Sequence, residues 1–258
     1  MILEGKRAVV TGGGRGIGAA VARALAAEGA AVVVSARTGE QIEAVAAELR
    51  GGGARAAAVA CDVTREADVD ALVREATDFL GGVDVLVNNA GIATSAPLKA
   101  VTLEEWNRVF AVNVTGTFLC TRGFLPGMLE GGWGRVVNVA SVAGKMGAAY
   151  ISTYAASKHA VIGFTRSLAV EVAARGVTVN AVCPGYVATD MTVESVARIA
   201  SKTRLTSEEA RRKLDEASPQ RRIFEPEEVA QQVLMLCDPR AGGVNGQSIV
   251  IDGGAVQA

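Results

Sequence analysis

Tyr154 and Lys158, in the stretch YAASK, stand four residues apart. On a helix that interval puts both side chains on one face, about one turn from each other. A phenol would then neighbour an ammonium. Free tyrosine titrates near ~10 and exchanges protons poorly at neutral pH, whereas a nearby cation favours the phenolate and lowers that value. The pair therefore suits proton exchange with an alcohol or a carbonyl oxygen; taken alone, the same spacing also fits an ordinary helix surface. Ser141, 13 residues before Tyr154, ends the apolar run VVNVA. Its hydroxyl could donate to a carbonyl oxygen as charge builds there, or cap a turn. His159 follows Lys158 directly, so it points from another face and reads as a packing or surface residue.

The second cluster is TGGGRGIG, Thr11 to Gly18. Glycines of this density serve a turn with positive φ or the close approach of another group to the backbone. The strict G-x-G-x-x-G spacing is absent, yet the placement is informative: an apolar run, the glycines, then the alanine-rich start of a helix. The free N–H groups and dipole of such a helix favour a pyrophosphate.

Seven valine-rich runs, RAVVTG, AAVVVSAR, AAAVACDV, VDVLVNNAG, GRVVNVAS, GVTVNAVCPG and GQSIVIDGG, alternate with helical patterns. Continuously apolar strands suit a mostly parallel sheet buried on both faces, with the intervening stretches as crossover helices. This predicts a single doubly wound α/β domain of Rossmann type with seven strands, spanning residues 1–258. In such sheets ligands bind beyond the carboxyl ends of the strands. The second strand ends in Ala36 and Arg37, where a site preferring NAD places an acid for the ribose hydroxyl. Arg37 and Arg15 could instead pair with a 2′-phosphate, so NADP(H) is the expected cofactor.

The composition narrows the classes. Half of the residues are hydrophobic and 21% are charged, with a net charge of −1, which argues against a disordered chain and against a polyanion-binding one. Mean hydropathy is +0.28, but no apolar run approaches the ~18 residues of a membrane helix. No signal peptide is recognised at the start of the chain, and a cytoplasmic location is expected. Cys61, Cys120, Cys183 and Cys237 are scattered singly, so neither a metal site nor a disulfide is expected.

With these residues in place, the chain resembles the short-chain dehydrogenase/reductase family over essentially its whole length. Thr11, Gly12, Gly16 and Gly18 match the family's T-G-x-x-x-G-x-G motif, and Asp62 with Val63, NNAG from Asn88 to Gly91, Asn113, Ser141, Tyr154, Lys158, Pro184 and Gly185 follow in order. The resemblance implies cofactor contacts at Gly12, Gly14, Arg15, Gly16, Ile17, Gly18, Arg37, Asp62, Val63, Asn89, Ala90, Gly91, Tyr154, Lys158, Pro184, Gly185, Val187 and Thr189. It implies that Tyr154 protonates a developing alkoxide, that Ser141 holds the oxygen, and that Lys158 tunes the tyrosine and bonds the nicotinamide ribose. Asn113, by its own position a helix-interior amide bonding locally, would hold a water linking Lys158 to solvent.

Within the family the motifs look most like 3-oxoacyl reductases, including those acting on polyketide chains held by an acyl carrier protein. The implied reaction is NADPH-dependent reduction of a 3-oxoacyl thioester, linked to the carrier protein or to CoA. The stretch LEGGWGR has glycines and Trp133 where a basic docking cluster would be expected, although Arg122, Arg135 and Arg175 are near in sequence. A free ketone, a cyclic ketone, a secondary alcohol or a non-catalytic NADP-binding role therefore stays open. Family members commonly form homotetramers. The charged segment 189–219 reads as a substrate lid or as an exposed helical pair.

Overall fold

The computed structural model of the chain describes residues 1–257. Each apolar run holds one strand: β1 (Arg7–Thr11), β2 (Ala31–Ala36), β3 (Ala56–Ala60), β4 (Val85–Asn88), β5 (Gly134–Val139), β6 (Val177–Pro184) and β7 (Ser248–Ile251). They form one sheet in the order β3-β2-β1-β4-β5-β6-β7. Every pairing is parallel, so the sheet is parallel throughout rather than mostly so.

The helices are α1 (Gly16–Ala27), α2 (Gly39–Gly51), α3 (Glu66–Leu80), α4 (Leu103–Phe110), α5 (Gly116–Glu130), α6 (Ser152–Val172), α7 (Asp190–Lys202), α8 (Ser207–Asp215) and α9 (Pro226–Cys237). Alternation along each strand divides the valines between two cores. Val10, Val34, Val87 and Val137 face α1, α2 and α9. Val9, Val33, Leu86 and Val136 face α3, α5 and α6. Covering both faces is what permits strands with no polar side, since each valine finds an apolar layer.

The order reverses between β1 and β4, which opens a crevice at their carboxyl ends. The register brings Thr11 opposite Ser35, Asn88 opposite Asn138, and Pro184 opposite Ile251. The segments after β1, β4, β5 and β6 therefore converge at one pole. Between α4 and α5 the chain stays helical, but Ala111–Thr115 is wound as a π-turn. Such a turn accommodates an extra residue and redirects the side chains on it.

Candidate active site

The glycine loop is fitted to its neighbours by the lack of side chains. A Cβ on Gly18 would lie 2.2 Å from the Gly12 carbonyl oxygen, so the first turn of α1 packs directly on the loop. Gly12 has φ +64°, and a Cβ there would meet the Asn89 amide at 2.7 Å. Asn89 Nδ2 donates to the carbonyls of Thr11 and Gly12, both at 3.0 Å. Thr11 Oγ1 accepts from the N–H groups of Asn89 at 3.1 Å and Ala90 at 3.2 Å. The β1 and β4 loops are thus laced together, and the N-terminus of α1 faces the crevice they bound. That cradle fits the pyrophosphate of a dinucleotide.

At the outer end of the crevice, Asp62 follows β3. Burial pulls its pKa up, but hydrogen bonds from Thr64 and the charges of Arg37 and Arg65 outweigh this and leave it below the ordinary carboxylate value. Arg37 thus stands near Asp62. Val63 packs where a Cβ on Gly116 would lie, 2.6 Å from its Cγ2. Arg15 has a carboxylate partner within the protein. Its Nη1 pairs with Asp190 Oδ2 at 2.8 Å, with both side chains more than half exposed, because α7 begins beside the glycine loop.

Helix α6 starts at Ser152 with no side-chain cap, and it presents Tyr154 and Lys158 one turn apart toward the ends of β5 and β6. Lys158 is 5% exposed, and its Nζ donates to the Val139 carbonyl at 2.7 Å. Burial pushes its pKa down to about 8, against a smaller opposing influence from Cys183. The expected lowering of the Tyr154 pKa is reversed in the protein alone. Burial raises the phenol, a hydrogen bond with Ser141 lowers it in part, and Tyr186 and Cys183 raise it further. The physical reason is the cost of creating an anion away from water, with the ammonium 5.8 Å from the ring centre and directed at a carbonyl.

Ser141 is both a cap and a pocket hydroxyl. Its Oγ accepts from the Ala143 N–H at 3.1 Å and lies 3.5 Å from the Pro184 carbonyl oxygen. Asn113, in the π-turn, does not bond locally through its side chain. Its Oδ1 accepts from Ile92 N at 2.9 Å, and its Nδ2 donates to Ile92 O and Ser157 Oγ, both at 3.0 Å. The widened turn aims the amide sideways, across to the β4 loop and α6. Gly91 lies between Asn113 and Lys158: a Cβ there would be 3.4 Å from Asn113 Oδ1 and 3.6 Å from Lys158 Nζ.

Beneath this group runs a buried polar chain that sequence reasoning missed. Asn88 Nδ2 donates to Thr121 Oγ1 at 2.9 Å and to Asn138 Oδ1 at 2.8 Å, and Asn138 Nδ2 donates to Thr165 Oγ1 at 2.9 Å. It ties α5 to α6 across β4 and β5. The polar residues at matching depth in VLVN and GRVVNV are its only trace in the sequence.

A cavity of about 450 Å³ opens over Tyr154, Ser141 and Lys158 and is continuous with Ile17, Asn89, Gly185, Val187 and Thr189. Gly185 N is held by the Ile251 carbonyl at 2.9 Å, and Val187 forms an isolated bridge with Phe224. Helices α7 and α8 supply the outer wall, through Met191, Ser195, Arg198 and Leu214. Ala255 and Val256 complete it. Asp252 holds that last turn by accepting from Gly254, Ala255 and Val256 N–H groups at 2.9, 3.1 and 2.7 Å. Met191, Ser195, Arg198 and Leu214 lie in the segment 189–219 read as a lid from the sequence, whereas Ala255 and Val256 carried no signal there.

The arginines considered near the cleft are not there together. Arg135 is 2% exposed at the amino end of β5, the pole opposite the cavity. Its guanidinium donates to the carbonyls of Gly134, Gly176 and Pro239. Arg175 lies beyond the end of α6 at that same pole, and Arg122 pairs with Glu66.

Fold and site together define a doubly wound nucleotide-binding domain with a phenol, an ammonium and a hydroxyl gathered at its switch point. The chain belongs to the short chain dehydrogenase family, whose profile matches residues 6–200, and it is an oxidoreductase. It is 43% identical over 256 residues to a 3-oxoacyl-(acyl-carrier-protein) reductase of Synechocystis, covering 98% of each chain. It is 39% identical over 258 residues to a D-beta-hydroxybutyrate dehydrogenase of Cupriavidus necator, covering 99% of each. Among solved structures, a variant of actinorhodin polyketide ketoreductase with NADPH superposes with a TM-score of 0.94 at 40% identity, covering 97% of both chains. No helix among the described residues is long and apolar enough to cross a membrane.

Proposed function

We propose that the protein is an NADPH-dependent reductase of 3-oxoacyl thioesters. The observation that carries this reading is the convergence of Tyr154, Ser141 and Lys158 in a cavity continuous with the glycine loop. Gly12 to Gly18 would hold the pyrophosphate, Arg37 and Arg15 the 2′-phosphate, Asp62 and Val63 the adenine, and Asn89 to Gly91 with Pro184 to Thr189 the nicotinamide half. Arg15 must exchange Asp190 for the phosphate, a small cost for an exposed pair. When bound, the nicotinamide supplies the hydride that no side chain here can give.

The chain's own residues then handle the oxygen and its proton. Ser141, oriented by the Ala143 N–H, donates to the substrate carbonyl oxygen. Tyr154, half-buried at the cavity, has a raised pKa that keeps it protonated, and it delivers its proton as that oxygen gains charge. Lys158 beside it steadies the phenolate that remains. Asn113 holds the β4 loop against α6 and keeps the route from Lys158 to solvent in register. The segment 189–219 covers the substrate as a lid within a single domain.

The test is NADPH oxidation by the purified protein with acetoacetyl thioesters, cyclic ketones and secondary alcohols. Acetoacetyl thioesters should be turned over best. Tyr154→Phe should lower kcat by at least about 100-fold while the NADPH dissociation constant stays within about two-fold. Equal turnover by variant and wild type would remove the mechanism.

A further inference from the structure

The outer wall of the cavity carries a charge that reduction of a ketone does not use. Helix α7 starts beside the glycine loop, where Thr189 Cγ2 lies 3.0 Å from the place a Cβ on Gly16 would take. Met191, Ser195 and Arg198 follow at i, i+4 and i+7, so they share one face, and all three line the cavity. Arg198 is nine residues beyond Thr189, which at ~1.5 Å per residue is about 13 Å along the axis.

Two arginines reach this cavity, and only one of them is paired with a carboxylate. Arg222 is gripped by both carboxylate oxygens of Glu228 at 2.6 Å. Arg198 is half-buried and forms no ion pair with any of the described residues. A guanidinium partly withdrawn from water, with no carboxylate opposite, is well disposed to bind an oxyanion brought in by a ligand.

We propose that Arg198 binds the phosphate of a phosphopantetheine arm whose thioester carries the 3-oxoacyl group. The proposal rests on the 3-oxoacyl thioester reading above. The substrate class selects the anion. A 3-oxoacyl thioester has no free carboxylate, so the oxyanion it can bring to the cavity wall that Arg198 lines is the phosphate of its arm. Along the way, Met191 and Leu214 offer apolar contact, and the Ser195 hydroxyl oxygen can accept from an amide of the arm.

The experiment compares acetoacetyl-pantetheine with acetoacetyl-4′-phosphopantetheine, using NADPH oxidation by wild type, Arg198→Gln and Arg198→Lys. Wild type should favour the phosphorylated compound by about ten-fold in kcat/KM, chiefly through KM, as one charge-assisted contact allows. In Arg198→Gln the two compounds should become equal, with kcat/KM for the unphosphorylated one within about two-fold of wild type; Arg198→Lys should retain part of the preference. A preference that survives in Arg198→Gln, or none in wild type, overturns the proposal and leaves the reductase reading standing. Failure of wild type to reduce either compound overturns that reading and the proposal with it. An Arg198-dependent preference for a carrier-protein thioester over acetoacetyl-CoA identifies the protein-bound arm as the source, and the reverse order identifies the coenzyme.

Discussion

At the scale of single residues, Lys158 is the group whose ionisation the fold alters most usefully. Its ammonium is 5% exposed and has a pKa near 8, set by burial. A lysine in the unfolded chain titrates near ~10.4. Between these values the unfolded chain binds a proton that the folded protein does not, so stability must rise with pH across the interval. Above about 10 the trend turns over, because Tyr154 is raised in the fold and ionises first in the unfolded chain. We expect urea midpoints to climb between about pH 8 and pH 10, equivalent to on the order of 2 kcal/mol, and Lys158→Met to flatten the climb. A variant that keeps the full slope would show that another group is responsible. The spacing of Tyr154 and Lys158 was legible because a helix turn is a local rule. The sign of the tyrosine shift was not, since it depends first on burial, with smaller contributions from Tyr186 and Cys183 brought close by the fold.

At the scale of elements, the loop from β1 to α1 works only because its glycines leave room. Gly18→Ala forces a methyl to 2.2 Å from the Gly12 carbonyl, so α1 must move off the loop. Overpacking of this sort costs about 1–3 kcal/mol, and cofactor affinity should fall by at least about ten-fold as the cradle opens. Gly39, at the start of α2, has nothing within 4 Å of its virtual Cβ. Gly39→Ala should leave stability unchanged or raise it by up to about 1 kcal/mol. Paired thermal melts and cofactor titrations separate the two; equal behaviour would refute the packing argument. The strands themselves were readable, since AVVVSA or VTVNAV can satisfy both faces only inside a covered parallel sheet. The π-turn at Asn113 was not, and with it went the direction of that amide. Nothing local in AVNVT announces a side chain bonded to Ile92 and Ser157. The Asn88–Asn138–Thr165 chain was hidden for the same reason, as its members become neighbours only through the β4–β5 register.

At the scale of the whole molecule, the faces left open have a pattern. Leu103 on α4, Phe118 on α5 and Val170 on α6 are 74%, 42% and 80% exposed, all on the helical layer that covers one side of the sheet. Apolar side chains of this size favour burial against a further surface. A homotetramer built through these helices is the assembly we propose, and light scattering of wild type should return four chains. The double change Phe118→Glu with Val170→Glu should yield smaller species that still bind cofactor, because neither residue reaches the crevice. A monomeric wild type would overturn the assembly.

The turn gathered by Asp252 bears on how the protein is handled. Its carboxylate fixes the backbone that lends Ala255 and Val256 to the cavity. A purification handle fused downstream of that turn would follow residues that line the cavity, and it is expected to raise KM for substrate. A handle ahead of Arg7 emerges at the far pole of the sheet, where β1 begins, and leaves the entrance clear.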